Sequence, residues 1–220
     1  MGRTLGESAY RGRKPSRDRL RARNEIEHKV ITMQNNIRGP FVLLGSREVY
    51  RNPWLHLRED TVLRPGGTEG VFGIIEMKAG SSVLALTQNG DIFLSKEYKY
   101  GIGRESLECV SGAIEDGEQP LDAAKRELRE ELGLVASEWI DLGVVDPFTT
   151  VVNSPNHMFL AIGAERDGDQ NLDEGEVVEA SRVPFSAAID LVMRGHITHS
   201  ASCVLILKAD KYLRERTAQP

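Results

Sequence analysis

The sequence predicts an α+β fold in which helices cover both faces of a sheet. Several short segments between residues 47 and 162 have alternating or continuous apolar residues, which is the pattern of strands. One amphipathic helix is indicated in the middle of the chain and two more near its end. Strands combined with a few such helices are typical of a sheet that has helices packed on both sides.

Residues 1–38 are predicted to form a basic tail and a helix. Met1 to Arg23 holds eight Lys or Arg residues and two acids, with little apolar surface to bury. A helix is expected from about Ser16 to Asn35, and Gly39-Pro40 marks the break after it. A solvated tail, a targeting peptide and an arm that binds a polyanion are the alternative roles of the tail.

Residues 39–78 are predicted to form a small N-terminal antiparallel β region, followed by a larger domain at residues 79–216. The strands of the β region are predicted at Arg47 to Arg51, Trp54 to Leu63 and Val71 to Met77. In the larger domain, Asn89-Gly90 indicates a hairpin. Its strands are predicted at Ser82 to Leu86, Asp91 to Ser95, Asp141 to Val145, and His157 to Ile162. Its last two helices are predicted from Ser186 to Met193 and onward from near Ser200.

The central helix is predicted to begin at Pro120 and to stop at Gly133. Proline suits the first helical position, where its missing N–H is not needed, and glycine suits the residue just after a helix. The apolar stripe of this helix consists of Leu121, Ala124, Leu128 and Leu132. Three carboxylates, those of Glu127, Glu130 and Glu131, fall within an arc of roughly 100° beside that stripe.

These three acids contradict two rules of helix stability. Like charges three or four residues apart repel by ~0.2–0.5 kcal/mol per pair, and acids in the last turns oppose the helix dipole. A local rule broken at one place indicates a functional site, and a divalent cation would turn the repulsion into attraction. Arg126 is placed to orient a carboxylate through its planar guanidinium. A solvated acidic helix end is the alternative interpretation.

The stretch from Gly112 to Leu134 resembles the Nudix box, GX5EX7REUXEEXGU, in which U is aliphatic. The seven polar and glycine positions of the box are matched by Gly112, Glu118, Arg126, Glu127, Glu130, Glu131 and Gly133. At typical residue frequencies, this match would arise by chance in on the order of one chain in a million. The sequence is therefore similar to the Nudix hydrolases. That resemblance implies an α/β/α sandwich with a mixed sheet at residues 79–216.

Segments outside the box resemble the ADP-ribose and ADP-sugar pyrophosphatase branch of this family. They are Val49 to Trp54, Leu57 to Asp60, Lys96 to Lys99, Glu108 to Gly112 and Gly195 to Ser202. The resemblance implies a homodimer formed through the N-terminal strands. Lys99 replaces the arginine usual in this branch, and a lysine cannot offer the same bidentate contact to a phosphate. Val110-Ser111 replaces a Pro-Ala pair, although the Ser111 carbonyl can still serve as a metal ligand.

The resemblance and the donor chemistry together predict a site for Mg²⁺ or Mn²⁺. Carboxylates and carbonyls are hard oxygen ligands, which these ions prefer. Glu127 and Glu131 are expected to be direct ligands, and Glu130 to join the same cluster or act through water. Arg126 is expected to orient a carboxylate, and Glu118 to brace the loop or join the outer metal shell. The Ser111 carbonyl is expected to be a further metal ligand. Gly112 and Gly133 are expected to serve the backbone, through close approach and the helix stop respectively.

The general base and the substrate contacts are predicted outside the box. The resemblance places the base on a later loop, here Asp173 to Glu176, where we favour Glu176 over Glu174. Glu130 is the next candidate. Lys99 and Glu108 are expected to contact the substrate. Trp54 either packs in the core, which we favour, or stacks on a base.

The predicted function is Mg²⁺-dependent hydrolysis of a nucleoside diphosphate linked to another moiety, most simply ADP-ribose or an ADP-sugar, to AMP and a sugar phosphate. NADH, GDP-mannose and a dinucleoside polyphosphate are alternative substrates. A non-catalytic nucleotide-sensing protein is the alternative class, but such relatives usually lack box carboxylates. The net charge of −5 argues against bulk nucleic-acid binding. No run of about 18 apolar residues and no signal-peptide pattern is present, so we expect a cytoplasmic protein without a membrane partner.

Overall fold

The computed structural model describes residues 36–172 and 177–218, which fold as two compact units. One unit holds Glu59–Phe72 together with the described residues up to Arg47. The other holds Glu48–Arg58 and the described residues from Gly73 onward. The predicted N-terminal tail and its helix lie outside the described residues. The same is true of the loop from Asp173 to Glu176, which was predicted to carry the base.

The predicted N-terminal β region is present as a sheet. Its strands are β1 (Ile37–Arg38), β2 (Phe41–Arg51), β3 (Leu55–Leu63), β4 (Glu69–Met77) and β11 (Val152–Asn153), in the order β1-β2-β3-β4-β11. β1 pairs antiparallel with β2, whereas β11 pairs parallel with β4. β2 begins at Phe41 rather than at Arg47 as predicted. The ring of Phe41 packs edge-on against Phe72, 5.5 Å between centroids, and this long-range contact is not visible as a local pattern.

A second, mixed sheet forms the centre of the larger unit. Its strands are β5 (Gly80–Leu86), β6 (Asp91–Lys99), β7 (Arg104–Glu108), β8 (Val110–Ala113), β10 (Glu138–Val145), β12 (Asn156–Ile162) and β14 (Glu179–Pro184). The order is β10-β12-β5-β6-β14, with β7 paired to β6 and β8 to β5. β5 and β12 run parallel and the other pairs run antiparallel. A short pair, β9 (Leu134–Val135) and β13 (Glu165–Arg166), stands apart.

Helices cover both faces of the mixed sheet, as predicted. They are α1 (Pro120–Leu132), α2 (Phe185–Met193) and α3 (Ser200–Ala218). Successive residues of β5 point to opposite faces, so Val83 packs with Leu128 of α1 while Leu84 packs with Leu205 of α3. This gives two apolar cores, one on each side of the sheet, and the fold class predicted from the sequence is confirmed. Among the described residues, no helix has the length and apolar character needed to cross a membrane.

Candidate active site

The helix α1 carries most of the predicted site and has the predicted ends. Pro120 is its first residue, and its carbonyl accepts a hydrogen bond from the Ser81 hydroxyl of β5 at 3.0 Å. Gly133 follows the helix in the left-handed region (φ +63°), where its N–H donates to the Arg129 carbonyl at 2.9 Å. Leu128 and Leu132 are buried on the sheet side. This packing fixes the neighbouring face of α1, which bears the acids.

The conformation of Gly133 gives a direct test of the helix end. A Cβ at this position would adopt an unfavourable positive φ and lie 2.4 Å from the Gly168 carbonyl oxygen. We therefore expect Gly133→Ala to lower the free energy of unfolding by roughly 1–3 kcal/mol or more, measured by urea denaturation. Gly101→Ala is the matched control, because Gly101 has no positive φ and an added Cβ would meet nothing within 4 Å. Equal stability of both variants would contradict this interpretation.

Arg126 is the electrostatic centre of the site. Its Nε and Nη2 donate to the two carboxylate oxygens of Glu118, at 2.9 and 3.1 Å, and Nη2 also donates to the Ala113 carbonyl at 3.0 Å. Its Nη1 donates to Glu127 at 2.7 Å and to Glu130 at 3.0 Å. The hydrogen bond with Glu118 raises the pKa of Arg126 most strongly; burial opposes this and the other acids reinforce it. One guanidinium thus holds three carboxylates of the predicted site.

Glu118 braces the loop between β8 and α1. Its pKa is lowered, first by the hydrogen bond from Arg126 and then by the backbone N–H of Glu115, which donates to its carboxylate at 2.9 Å. Both partners stabilise the ionised form. The carboxylate therefore links the loop backbone to the helix.

The strand β8 brings its backbone against the acids of α1. A Cβ added to Gly112 would lie 1.9 Å from an oxygen of Glu127, so a larger residue here would displace that carboxylate from its present position. The Ser111 N–H lies 3.4 Å from an oxygen of Glu131, a long hydrogen bond. The backbone at Ser111 and Gly112 is therefore next to the two carboxylates that were expected to bind metal directly.

A cavity of about 490 Å³ opens at this junction. The acids that line it are Glu97, Glu115, Glu127, Glu130 and Glu131, and the bases are Lys78, Lys99 and Arg126. Ser111, Gly112, Pro53 and Trp54 also line it. The site therefore combines many carboxylates with a few cationic groups and one large aromatic ring.

Two lysines of the cavity are ion-paired to acids of its wall. Lys78 contacts Glu115 at 2.6 Å, and Lys99 contacts Glu97. Burial lowers the pKa of Lys99, but the hydrogen bond with Glu97 and the charges of Glu108 and Glu131 outweigh it, so the net shift is upward. Both ammonium groups are thus charged at neutral pH. Lys78 and the two wall acids, Glu97 and Glu115, were not predicted as site residues from the sequence.

Two predicted substrate residues lie where the sequence alone did not place them. The favoured core position of Trp54 is wrong, because this side chain is 73% exposed and lines the cavity. The side chain of Asn52 accepts hydrogen bonds from the N–H groups of Trp54 and Leu55, a turn that places Trp54 ahead of β3 rather than inside it. Glu108 is buried (7% exposed) and does not line the cavity.

The donor set suits a hard divalent cation. Glu127, Glu130, Glu131 and Ser111 line one cavity, and their carboxylate and carbonyl oxygens are the donor types that such an ion prefers. Within residues 36–172 and 177–218, no three acidic, His or Cys side chains are already gathered at metal-binding distances. In this arrangement the Arg126 Nη1 contacts Glu127 at 2.7 Å and Glu130 at 3.0 Å. The chemistry of these donors fits the expected ion, and Arg126 holds two of the carboxylates.

Family models match both parts of the chain. The model described as the NUDIX domain matches residues 78–201. The model described as the nucleoside diphosphate sugar hydrolase N-terminal domain matches residues 42–75. The two matches together cover most of the N-terminal sheet and, apart from most of α3, the sheet and helices around the cavity.

Two similar proteins are named ADP-ribose pyrophosphatase. The chain is 29% identical over 169 residues to an ADP-ribose pyrophosphatase of Mycobacterium tuberculosis, covering 76% of this chain and 82% of that protein. It is 27% identical over 150 residues to an ADP-ribose pyrophosphatase of Bacillus subtilis, covering 68% and 81%. A solved structure titled as an ADP compounds hydrolase superposes with a TM-score of 0.71 at 20% identity, covering 80% of this chain and 95% of that one. At that identity, the superposition shows a shared fold.

Proposed function

The chain belongs to the NUDIX family. We propose that it hydrolyses the diphosphate bond of ADP-ribose or an ADP-sugar, with Mg²⁺ or Mn²⁺ as cofactor. Enzymes of this family generally use divalent cations. The observation that carries the proposal is the cavity, which is lined by Glu127, Glu130 and Glu131 together with Lys99 and Trp54. The products of the proposed reaction are AMP and a sugar phosphate.

The metal ligands are proposed to be Glu127, Glu131 and the Ser111 carbonyl, with Glu130 in the same cluster or bonded through water. The chemistry that a bound Mg²⁺ or Mn²⁺ supplies here is neutralisation of the diphosphate charge and activation of a water. Arg126 orients the carboxylates, since its guanidinium already contacts Glu127 and Glu130. Glu118 supports Arg126 in turn through two hydrogen bonds.

The substrate is proposed to lie across the cavity, with its base on Trp54 and its phosphates near the lysines. The exposed indole offers a flat apolar face, which suits stacking on a nucleobase. The ammonium groups of Lys78 and Lys99 are point charges rather than bidentate donors, so they attract phosphate without fixing its orientation. Orientation then depends on the proposed metal ligands, which line the same cavity.

The residues 39–78 are proposed to support a homodimer, and residues 79–216 to form the catalytic domain. Large apolar side chains are exposed along β2 and β4, namely Leu44, Val49, Tyr50, Val71 and Met77. Exposed apolar surface of this kind is typical of a protein–protein interface. Sedimentation equilibrium is expected to give a mass of about twice the 24.4 kDa of the chain. A monomer at micromolar concentration would contradict the proposal.

A substrate panel tests the proposed specificity. The purified protein is incubated with Mg²⁺ and ADP-ribose, an ADP-sugar, NADH, GDP-mannose or a dinucleoside polyphosphate, and the released monophosphates are measured. We expect the highest kcat/KM for ADP-ribose or the ADP-sugar, by at least about 10-fold, because a buried polar site rejects poorly matched groups. A clear preference for any of the other three would reassign the substrate and leave the hydrolytic site in place.

A further inference from the structure

One ion pair of the cavity wall joins Lys78 to Glu115. Lys78 lies between β4 and β5, and Glu115 lies in the loop between β8 and α1. The Lys78 ammonium donates a hydrogen bond to the Glu115 carboxylate at 2.6 Å, and both residues line the cavity. Within residues 36–172 and 177–218, each of these two charged groups has the other as its ion-pair partner and no second one. The charge of Lys78 is therefore taken up by one acid, Glu115.

This pair is exposed, so another anion can replace Glu115 at Lys78. The side chain of Lys78 is 39% exposed and that of Glu115 is 61% exposed. Water screens an exposed ion pair, and two long side chains lose conformational freedom in forming it, so such pairs contribute little to stability. A lysine ammonium is a point charge that pairs with a carboxylate or a phosphate without a fixed geometry. A diphosphate carries more negative charge than one carboxylate, so it is a strong competitor for this lysine.

The backbone of Glu115 is held independently of its side chain. The N–H of Glu115 donates to the Glu118 carboxylate at 2.9 Å, and its carbonyl accepts from the Glu118 N–H at 3.0 Å. The N–H of Ile114, the preceding residue, donates to the Ala79 carbonyl at 2.9 Å. The Glu115 carboxylate can therefore leave Lys78 by rotation of its side chain, while the loop that holds Glu118 stays in place.

We propose that Glu115 is an affinity-determining residue, which occupies Lys78 in the substrate-free protein and is displaced from it by a phosphate of the substrate. The inference rests on the proposed function for the identity of that phosphate. Because the contact between Lys78 and Glu115 must break when the phosphate binds, Glu115 weakens substrate binding and acts before the chemical step. A pair that only supported the loop would behave differently, since the loss of either partner would then be harmful.

The first test measures phosphate binding without turnover of a nucleotide sugar. The probe is radiolabelled inorganic pyrophosphate, and its binding to the protein in the presence of Mg²⁺ is measured by equilibrium dialysis. Glu115→Gln is expected to lower Kd by about 3-fold, a fold-change typical of an exposed ion pair, whereas Lys78→Met should raise Kd. A Glu115→Gln variant that binds pyrophosphate no more tightly than the native protein, or not at all, would overturn the proposal.

Asp116→Asn is the matched control for the change of charge. Asp116 is an exposed neighbour of Glu115 in the same loop, does not line the cavity and makes no ion pair with Lys78. This variant removes the same charge, so its Kd for pyrophosphate should equal the native value if the contact with Lys78 is what matters. An equally lowered Kd in Asp116→Asn and Glu115→Gln would show a general effect of charge and would overturn the proposal.

The second test is kinetic, with ADP-ribose as the substrate and Mg²⁺ present. Glu115→Gln is expected to lower KM by about 3-fold with a smaller change in kcat, because it removes a competitor that acts only before the substrate is bound. Lys78→Met should change KM in the opposite direction, since it removes the cation itself. A higher KM in both variants would show that the pair only supports the loop, and would overturn the proposal.

A double-mutant comparison separates competition for Lys78 from simple repulsion of the substrate. In a Lys78→Met background, Glu115→Gln should leave KM and the Kd for pyrophosphate unchanged, because the lysine for which it competes is gone. A decrease that persists in this background would show that Glu115 repels the substrate directly, and would overturn the proposal. If the native protein fails to cleave ADP-ribose, the proposed function is at fault, and the pyrophosphate measurement still decides the role of Glu115.

Discussion

Replacing Glu127 or Glu131 with Gln is expected to lower kcat by at least ~10²-fold. Mutating even a residue that only hydrogen-bonds a metal ligand typically lowers metal affinity or activity by ~10- to 100-fold. A neutral amide is a weaker ligand for a hard cation than a carboxylate. The fold should be preserved, because the substitution keeps the shape of the side chain and relieves repulsion among neighbouring acids. Steady-state kinetics in Mg²⁺ and a thermal unfolding curve measure the two effects separately.

A surface acid provides the control for these two substitutions. Glu215 lies on α3, is exposed and pairs with Lys211, so Glu215→Gln removes a similar charge without touching the cavity. Its kcat should equal that of the native protein. Near-native Mg²⁺-dependent activity in either Glu127→Gln or Glu131→Gln would show that the proposed metal ligands are wrong.

Glu176→Gln is expected to reduce kcat by ~10²–10⁴-fold, the usual contribution of a positioned general base. An activated water still needs a proton acceptor, and box carboxylates that bind metal are poor acceptors because coordination lowers their proton affinity. Glu176 precedes Val177-Val178, and Val178 is largely buried and lines the cavity. The chain immediately after Glu176 is therefore anchored beside the acids. KM for ADP-ribose should remain close to native in this variant.

Glu174→Gln is the matched comparison, because Glu174 lies two residues farther along the sequence from that anchor. A large loss of kcat in Glu174→Gln combined with a native Glu176→Gln would reverse the assignment. If neither variant loses activity, the base lies within the box. Glu130 would then be the first residue to test, since it lines the cavity and is more exposed than Glu127.

The part of the site that lies within one helix could be predicted, because its geometry follows from spacing. Pro120 and Gly133 delimit α1 in the sequence as they do in the structure. The convergence of Glu127, Glu130 and Glu131 follows from the helical repeat, and all three line one cavity. The family predicted from these residues is confirmed by the matching family model.

Features that depend on distant segments could not be predicted. Lys78 and Glu115 meet across 37 positions of sequence, and no local pattern marks that contact. The strand β7 was missed because its most buried residues, Ser106 and Glu108, are polar, so its apolar alternation is absent. Trp54 is a large aromatic residue of the kind usually expected in a core, but the turn formed by the Asn52 side chain exposes it. A long-range contact decided the first case, the burial of polar residues the second, and a side-chain turn the third.

The most direct test of the central claim is product analysis of ADP-ribose turnover with and without Mg²⁺. The native protein is incubated with ADP-ribose, and the products are separated by ion-exchange chromatography. We expect AMP and ribose 5-phosphate in equal amounts with Mg²⁺, and neither product when EDTA removes the cation. ADP-ribose that binds in the presence of Mg²⁺ but remains uncleaved would contradict this expectation, and would indicate a nucleotide-sensing protein instead.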